Sequence, residues 1–187
     1  PSGRIEIVSE AVAGFGYEDC PPHPAWIPPA EWLGSAAAQR FPLHLVTHQP
    51  ATRLHAQMDP GPVSRRRKVA GREPVRINPH DAARRGIRNG DVVRLFNARG
   101  ACLAGALLDA DVMPGVAVMA TGAWLDPPDS SGEPERHGNP NVLTLDVGTS
   151  ALGQGTSALT ALVEIERWEQ PAPPVRAFTP PTLAAAI

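Results

Sequence analysis

Proline and glycine are spread so densely through this chain that little room remains for long helices. The 187 residues include 22 prolines and 17 glycines. Proline removes a backbone donor and fixes φ, and glycine favours turns, so both residues interrupt regular structure. The densest stretch, CPPHPAWIPPAEW at residues 20–32, can sustain neither a helix nor a sheet. The remaining segments are short, which predicts short strands joined by tight turns.

Residues 1–40 are predicted to form an irregular, proline-rich arm that leads into the domain. The alternation of polar and apolar residues in RIEIV, residues 4–8, predicts one short strand within it. Trp26, Ile27 and Trp32 are too apolar to remain in water. We expect the arm to pack on its own domain, and the alternative is that it docks on a missing partner domain.

Residues 41–167 have the pattern of a β domain. Asn78, Pro79 and Gly86 suit the start and the end of one short helix, NPHDAARRG. Turn-forming residues before DVVRLF and before ACLAGALL predict a hairpin of these two strands. The predicted strands are LHLVT (43–47), PVRIN (74–78), DVVRLF (91–96), ACLAGALL (101–108), GVAVMATGAW (115–124), LTLDV (143–147) and LTALVEIERW (159–168). Short strands with one or two small helices indicate a compact barrel rather than a layered α/β sheet.

Composition predicts a C-terminal tail without firm packing, and it argues against several classes of binding partner. Residues 168–187 are rich in Pro and Ala and are expected to be loosely packed or disordered. The chain has 17 basic and 19 acidic residues, so its net charge of -2 provides no field that would recruit nucleic acid, anionic lipid or acidic substrates. Residues 65–68, RRRK, are interpreted as a solvated loop and not as a nucleic-acid patch, because the chain has few aromatic residues to stack on bases.

The two cysteines, the apolar runs and the first residues bear on disulfides, metal sites, membrane spans and secretion signals. Cys20 and Cys102 match neither a disulfide framework nor a metal-binding spacing. No apolar run is long enough to cross a membrane, and the first residues do not have the pattern of a secretion signal. The chain does not start with Met, which predicts a fragment or a processed product.

The segment HGNPNVLTLDVGTSALGQGTSA, residues 137–158 and here called the amide motif, has one formal charge, Asp146. Its side-chain amides can both donate and accept hydrogen bonds, and its glycines permit close backbone approach. The groups of interest are Asn139, Asn141, Gln154, Gly153 and Gly155, with the hydroxyls of Thr149 and Ser150. They suit a flat, polar and mostly neutral ligand. The alternative is that these residues only shape turns and cap them.

The segment HQPATRLHAQMD, residues 48–59 and here called the histidine motif, combines two imidazoles, two amides and a guanidinium. These are His48, Gln49, Arg53, His55 and Gln57. No carboxylate or thiolate lies at a ligand spacing from the two histidines, so the motif does not predict a metal site.

These two motifs, together with GREPVRINPHDAARRGIRNGDVVRLFNARG at residues 71–100, carry a resemblance to a known family. The chain resembles the C-terminal molybdopterin-dinucleotide-binding domain of the dimethyl sulfoxide reductase family, from about residue 3 to residue 167. The match is to the branch of biotin sulfoxide, trimethylamine N-oxide and dimethyl sulfoxide reductases. The resemblance implies a mainly β fold with short helices, a six-stranded double-psi β-barrel of the aspartate-decarboxylase-like type, over residues 41–167.

The resemblance also implies a cofactor, bis(molybdopterin guanine dinucleotide) molybdenum, shared with N-terminal catalytic domains of the same polypeptide. In that branch a serine of a preceding domain binds the molybdenum, so this chain is expected to hold no metal ligand or catalytic residue and to be inactive alone. His55 is expected to donate to a pterin edge, and Arg53 to face a phosphate or carbonyl. The family usually has RLHSQ where this chain has Ala56 in place of the serine, which removes one side-chain hydrogen bond. The expected cofactor-binding residues are His48, Gln49, Arg53, Leu54, His55, Gln57, Asn139, Asn141, Gln154 and Gly155.

Other functions stay open at this point. Formate dehydrogenases and nitrate reductases belong to the same family, and double-psi barrels also occur in proenzyme decarboxylases and in substrate-recruiting domains of ATPases. A barrel that serves only as an interaction module would have no affinity for pterins. Relatives occur in both cytoplasm and periplasm, so the compartment is not predicted.

Overall fold

The computed structural model describes residues 3–155 and 160–180 of the chain. Within these ranges the strands are Leu43–His48 (β1), Pro74–Ile77 (β2), Val92–Phe96 (β3), Ala101–Leu108 (β4), Val116–Ala120 (β5) and Thr160–Arg167 (β6). The α-helices are Glu10–Phe15 (α1), Pro62–Arg65 (α2) and Pro79–Ala83 (α3), and short 3-10 helices span Ala36–Gln39 and Pro140–Leu143. No helix of the described residues is long and apolar enough to span a membrane.

The six strands close into a barrel in the order β1-β5-β2-β4-β3-β6. β1 and β5 run parallel, as do β2 and β4, and the other four pairs are antiparallel. Only β3 and β4 are consecutive both along the chain and around the barrel. The predicted mainly β fold with a six-stranded double-psi barrel is confirmed, and its strands lie between Leu43 and Arg167.

Several connections between strands lie at the same end of the barrel because of the directions in which the strands run. His48 ends β1 opposite Ala120, the last residue of the parallel β5. β6 runs antiparallel to β1, and its first residue, Thr160, is opposite Val46. This end is called the loop end, and it carries residues 49–59, 121–139 and 144–155.

Alternating strand residues fill the barrel. In β1, Leu43 and Leu45 are buried, whereas Val46 and His48 point outward. The same alternation buries Val75 and Ile77 in β2 and Val93 and Leu95 in β3. Burial of a side chain of this size contributes about 1.5–3 kcal/mol, so these residues form the main stabilising core.

Local signals in the sequence were sufficient for the helix and the hairpin. Asn78 accepts a hydrogen bond from the backbone N–H of His80 at 2.9 Å, and Pro79 is the first residue of α3. The β3–β4 hairpin closes through a 3.0 Å hydrogen bond from Asn97 N to Gly100 O. Both predictions are confirmed.

Two predicted strands are wrong. Residues 4–8 pair with no strand in the described part of the chain, and Ile5 and Ile7 are 92% and 70% exposed. In residues 143–147, Leu143 ends a 3-10 helix and the chain then continues without regular structure. Alternation alone does not produce a strand when no neighbouring strand is present to pair with it.

The arm before β1 is irregular apart from α1 and one 3-10 helix. Trp26 is 82% exposed, and Ile27 and Trp32 are also exposed. The carboxylate of Glu31 binds Arg99 and accepts the backbone N–H of Leu162 at 2.7 Å. The arm is therefore attached to the barrel at its polar groups, while its most apolar side chains remain in solvent.

The described part of the tail lies against the barrel, which differs from the loose packing predicted for it. Arg72 Nη2 donates to the carbonyl of Pro173 at 2.5 Å. The backbone N–H groups of Arg176 and Ala177 both donate to Oδ2 of the buried Asp126. Residues 173–178 are called the C-terminal strap. Residues 181–187 of the predicted tail lie outside the described residues.

Candidate functional site

The connection that follows β5 joins the histidine motif to the amide motif. Trp124 donates its backbone N–H to Asp59 Oδ2 at 2.9 Å and its indole N–H to the Ala56 carbonyl at 2.7 Å. On its other side, Asn139 Nδ2 donates to the Ala123 carbonyl at 2.9 Å. Residues 123 and 124 thus link the two motifs at the loop end, although about 80 residues separate them in the sequence.

A buried ion network lies beneath the histidine motif. Lys68 Nζ lies 2.8 Å from Asp59 Oδ1 and 2.5 Å from Glu73 Oε2. Arg53 approaches the same two carboxylates at 3.4 Å and 3.1 Å. All four side chains are at most 4% exposed. Two cations and two anions balance one another, so the interior gains no net charge.

Hydrogen bonds within this network hold Asp59 in its ionised form. Burial by itself raises the pKa of Asp59, but the hydrogen bond and charge of Lys68 and the N–H of Trp124 outweigh it and lower the pKa. Ser64 adds a 2.8 Å hydrogen bond to the same carboxylate. Asp59 is therefore ionised at neutral pH.

Arg53 is turned into the protein and away from the surface where a ligand would bind. Its Nη2 donates to the Thr121 carbonyl at 2.7 Å, and its Nε donates to the His55 carbonyl at 3.2 Å. These hydrogen bonds and the contacts with the two carboxylates engage all three nitrogens of the guanidinium. Arg53 therefore fixes the histidine motif from below, and a contact of Arg53 with a cofactor stays a prediction.

The backbone at His55 adopts a left-handed conformation, with φ of 51°. Such a conformation costs a non-glycine residue about 1–3 kcal/mol and persists only where its surroundings hold it. The His55 carbonyl accepts a hydrogen bond from Arg53 Nε. The same oxygen lies close to Gly122, where an added Cβ would be 2.0 Å from it. The imidazole is exposed above this anchored backbone.

Gln49 contacts both imidazoles of the motif. The backbone carbonyl of Gln49 accepts a hydrogen bond from the Nδ1–H of His48 at 2.8 Å. The side-chain amide of Gln49 donates to Nδ1 of His55 at 3.1 Å. Because each ring uses its Nδ1 in this way, each directs its Nε2 elsewhere.

Glu135 shapes the turn from which the amide motif begins. Its Oε1 accepts the backbone N–H groups of Asp126 and His137 at 2.9 and 3.0 Å, and its Oε2 accepts those of Gly138 and Asn139 at 2.7 and 2.8 Å. The residue is 2% exposed. Four N–H donors satisfy one buried carboxylate, which fixes the backbone on both sides of it.

Asn139 has a structural task within this turn. Its Oδ1 accepts the N–H of Asn141 at 3.0 Å and thereby caps the 3-10 helix Pro140–Leu143. Its Nδ2 donates to the segment after β5, as described above. Both polar atoms of Asn139 are therefore occupied within the protein, while the Asn141 side chain faces a cleft.

That cleft has a volume of about 690 Å³. Its lining is Asn141, Thr144, Leu145, Asp146, Val147, Gly148, Gln154 and Gly155. The Gln154 amide donates to the Ser150 carbonyl at 2.9 Å, and Thr149 Oγ1 donates to the Gly153 carbonyl at 2.8 Å. These internal bonds hold the loop in a compact form that surrounds the cleft with amide, hydroxyl and backbone groups.

His137 lies beneath the surface at the start of the amide motif and is fully buried. Its Nδ1 donates to the Trp124 carbonyl at 2.8 Å, and its Nε2 has no hydrogen-bond partner among the described residues. The Phe178 ring of the C-terminal strap covers it edge-on, with centroids 4.9 Å apart. Burial and the charge of Lys68 lower the pKa of His137, which keeps the ring neutral.

The structure places most of the predicted cofactor residues at the surface of the loop end. Arg53 is buried and Asn139 is half-buried. The other eight are exposed there: His48, Gln49, Leu54, His55, Gln57, Asn141, Gln154 and Gly155. The cleft of the amide motif does not include residues of the histidine motif, so the two groups share the barrel end but form separate parts of it.

Three residues that organise this end were not predicted from the sequence. Lys68 was interpreted as part of a solvated loop, and nothing in RRRK distinguishes it from its exposed neighbours. Glu135 precedes a turn rich in glycine and asparagine, whose free N–H groups were a usable signal for a carboxylate acceptor. His137 was part of the quoted motif, but only the fold shows that it is buried.

No group of three or more His, Cys, Asp or Glu side chains that could hold a metal ion occurs among the described residues. The buried carboxylates of Asp59, Glu73 and Glu135 beneath the two motifs bind lysine, arginine or backbone N–H groups.

Comparison with known proteins gives a family match over most of the barrel. The family described as "Molydopterin dinucleotide binding domain" matches residues 43–161. Biotin sulfoxide reductase of Cereibacter sphaeroides is 55% identical over 165 residues, which are 88% of this chain and 22% of that protein. Trimethylamine-N-oxide reductase 1 of Escherichia coli K12 is 53% identical over 90% of this chain and 20% of its own length.

A third relative, the dimethyl sulfoxide/trimethylamine N-oxide reductase of Cereibacter sphaeroides, is 48% identical over 90% of this chain and 21% of its own length. The chain thus spans about a fifth of these relatives. Among solved structures, acetylene hydratase from Pelobacter acetylenicus superposes with a TM-score of 0.68 over 90% of this chain and 24% of that one, at 20% identity. At this identity the likeness concerns the fold alone.

Proposed function

Because the chain belongs to the molydopterin dinucleotide binding domain family, we propose that its loop end binds bis(molybdopterin guanine dinucleotide) molybdenum as part of a larger S-oxide or N-oxide reductase. The observation that carries the proposal is the exposure, on one barrel end, of eight of the ten predicted cofactor-binding residues. The relatives described above are named as reductases of sulfoxides or N-oxides, and these names support the substrate class.

The residues present fit such a group. A pterin is a flat, mostly neutral ring with donors and acceptors around its edge, so its site needs amides, hydroxyls and exposed backbone groups. The cleft of the amide motif supplies these from Asn141, Thr144, Gln154 and Gly155, with Asp146 as its single carboxylate. His48 and His55 supply further polar groups at the same barrel end.

The proposed role of this chain is to bind, orient and cover the cofactor. The molybdenum centre, when bound, supplies the two-electron chemistry that removes an oxygen atom from an S-oxide or N-oxide. The barrel excludes water from one side of the pterins, and its ion network keeps the loop end rigid during this task. The catalytic domains that share the cofactor are proposed to belong to the same polypeptide, outside the 187 residues considered.

Titration of the 187-residue chain tests the binding half of the proposal. Pterin-6-carboxylate, followed by its fluorescence, represents the pterin, and GDP, followed by calorimetry, represents the nucleotide. We expect saturable binding of at least one probe, weakened about fivefold or more in His55→Ala or Gln154→Ala, because each variant removes one hydrogen-bonding side chain. Gln39→Ala, an exposed glutamine before β1, is the matched control and should bind as the unmodified chain does.

Two results would contradict the proposal. One is a folded chain that binds neither probe, and the other is binding that is unchanged by both variants. The expectation that the chain is inactive alone has its own test, since reduction of trimethylamine N-oxide by the purified chain with reduced viologen would overturn it.

A further inference from the structure

Gln49 lies between two imidazoles and contacts each of them with a different group. Its carbonyl oxygen accepts from His48 Nδ1 at 2.8 Å, and its side-chain amide nitrogen donates to His55 Nδ1 at 3.1 Å. A carbonyl can only accept a hydrogen bond, and an amide NH₂ can only donate one. The two histidines are therefore held in opposite states.

The states follow from the chemistry of neutral imidazole, in which one nitrogen carries the proton and the other accepts. His48 must carry its proton on Nδ1, which leaves a lone pair on Nε2. His55 must offer a lone pair at Nδ1, which places its proton on Nε2. Among the described residues, neither Nε2 atom has a hydrogen-bond partner, and both rings are exposed at the loop end.

From this geometry we infer that Gln49 is a positioning residue that makes His55 a hydrogen-bond donor and His48 an acceptor toward the cofactor. This inference rests on the proposed function, and it assigns Gln49 an action through the two histidines and not a direct contact with the cofactor. A pterin edge presents donors and acceptors side by side, so a pair of opposite imidazoles suits it better than two donors would.

The position of His55 is fixed independently of its tautomer. Its left-handed backbone is held by the Arg53 guanidinium and by the close approach to Gly122. Arg53 is in turn held by the buried Asp59 and Glu73. The interior therefore sets where the imidazole stands, and Gln49 sets which of its nitrogens carries the proton.

The tautomers can be measured without any ligand, by long-range ¹H–¹⁵N correlation of the histidine rings in the 187-residue chain. The pH should be about 8.5, well above the ordinary histidine pKa of about 6.5. We expect the Nε2–H form for His55 and the Nδ1–H form for His48. Single His48→Asn and His55→Asn variants assign the two signals.

Two substitutions at Gln49 then test the cause. Gln49→Glu replaces the donor by a carboxylate acceptor of the same shape, so His55 should change to the Nδ1–H form. Gln49→Ala removes the contact, so His55 should populate both tautomers. His48 should be unchanged in both variants, because it binds the backbone carbonyl, and it serves as an internal control.

Probe binding separates positioning from a structural role. If Gln49 acts through the tautomer of His55, Gln49→Glu should weaken binding of uncharged pterin, which has no carboxylate to be repelled by the new glutamate, more than Gln49→Ala, which should weaken it about fivefold. A merely structural role predicts the reverse order, because glutamate keeps the shape of glutamine. Thermal unfolding of each variant verifies that the barrel is intact.

The outcomes distinguish this inference from the proposed function. An Nδ1–H form of His55 in the unmodified chain, or a His55 tautomer unaffected by Gln49→Glu, overturns the role of Gln49 whether or not a probe binds. The expected tautomers without binding of either probe would uphold the control of protonation by Gln49 and overturn both the proposed function and the role of these histidines toward the cofactor.

Discussion

Individual residues of the loop end take conformations that depend on their neighbours more than on their own preferences. The backbone of His55 is left-handed because its carbonyl accepts a hydrogen bond from Arg53 and occupies the space that a side chain at position 122 would need. Gly122 has φ of 83° and approaches the His55 carbonyl so closely that only glycine fits there. The two residues therefore constrain each other, although they lie in different connections of the barrel.

Replacement of Gly122 measures this constraint. Gly122→Ala should lower the free energy of unfolding by about 3 kcal/mol, from backbone strain and from displacement of the histidine motif. Gly132→Ala is the control, because Gly132 has a similar φ of 90° but nothing within 4 Å of an added Cβ. It should cost about 1 kcal/mol. Equal losses in urea unfolding would show that the contact with His55 has no energetic weight.

The buried ion network makes a prediction about pH. The folded-state pKa of Asp59 is lowered, since its hydrogen bonds outweigh its burial, so Asp59 contributes stability at pH values above its unfolded pKa, about 3.9. That contribution is lost as the pH falls from about 4 through the folded pKa. Asp59→Asn should therefore lower the free energy of unfolding by about 3 kcal/mol at pH 7, by leaving buried cations underpaired, and the difference should shrink below pH 4.

Urea unfolding at pH 7 and pH 3 tests this expectation. Asp111→Asn, at an exposed carboxylate, is the control and should change stability little at either pH. A difference between Asp59→Asn and the unmodified chain that is the same at pH 3 as at pH 7 would contradict the assignment.

Residue types in the sequence identified the exposed polar groups of the site but not the internal ones. His48, His55 and Gln154 were predicted and are exposed at the loop end. Arg53 was expected to face a phosphate or carbonyl of the cofactor, and Lys68 was assigned to a solvated loop, whereas both side chains are buried against carboxylates. Which carboxylates they meet depends on the fold, since the pairs bring together different connections.

Among the elements, the C-terminal strap shows how an irregular segment can be held in place. Its composition predicted a loosely packed or disordered tail, and it did not reveal the two N–H groups that donate to the buried Asp126. The helix α3 and the β3–β4 hairpin were predictable because their signals lie within a few residues. The strands expected at residues 4–8 and 143–147 failed because a strand requires a partner that local alternation does not reveal.

Phe178 is the residue through which the strap acts on the amide motif. It packs edge-on against both His137 and Trp124, with centroid distances of 4.9 and 5.8 Å. Phe178→Ala should lower the free energy of unfolding by about 1–2 kcal/mol, less than a fully buried phenylalanine would, because the ring is half-buried. Thr179→Ala, at the next and exposed residue, is the control.

The same variant should alter the pH dependence of stability. Burial lowers the folded-state pKa of His137, so the neutral ring contributes stability above its unfolded pKa, about 6.5, and loses it as the pH falls below that value. Water admitted by Phe178→Ala should bring the pKa closer to its ordinary value. We therefore expect a smaller loss of stability between pH 7 and pH 5 in Phe178→Ala than in the unmodified chain. An unchanged slope would contradict the covering role of Phe178.

At the scale of the whole molecule, the barrel and the arm contribute unequally to stability. No described residue before Phe41 is buried, whereas the barrel contains the core. Glu31 attaches the arm to the barrel through Arg99 and the N–H of Leu162, and Asp19 accepts the N–H of Ala151 at 2.8 Å. The extent of this attachment was not predictable, since proline content indicates only that the arm is irregular.

Two truncations separate these contributions. Removal of residues 1–29 should change the free energy of unfolding by less than about 1 kcal/mol, because only exposed contacts are lost. Removal of residues 1–40 also deletes Glu31 and should cost about 2 kcal/mol more, the usual contribution of hydrogen bonds to a charged group. Urea unfolding of both shortened chains is the measurement, and a large loss on removing residues 1–29 would contradict the assignment.

The strand order also has a consequence for how the chain reaches its folded state. Only the β3–β4 hairpin joins consecutive strands, and the other five pairings close longer segments of chain. Loop closure has an entropic cost that must be met before such contacts stabilise anything, so folding is expected within milliseconds to seconds and not microseconds. β6 pairs with both β1 and β3. During synthesis, therefore, the barrel cannot close until the chain beyond residue 160 has left the ribosome, and the core strands made earlier must wait for their last partner.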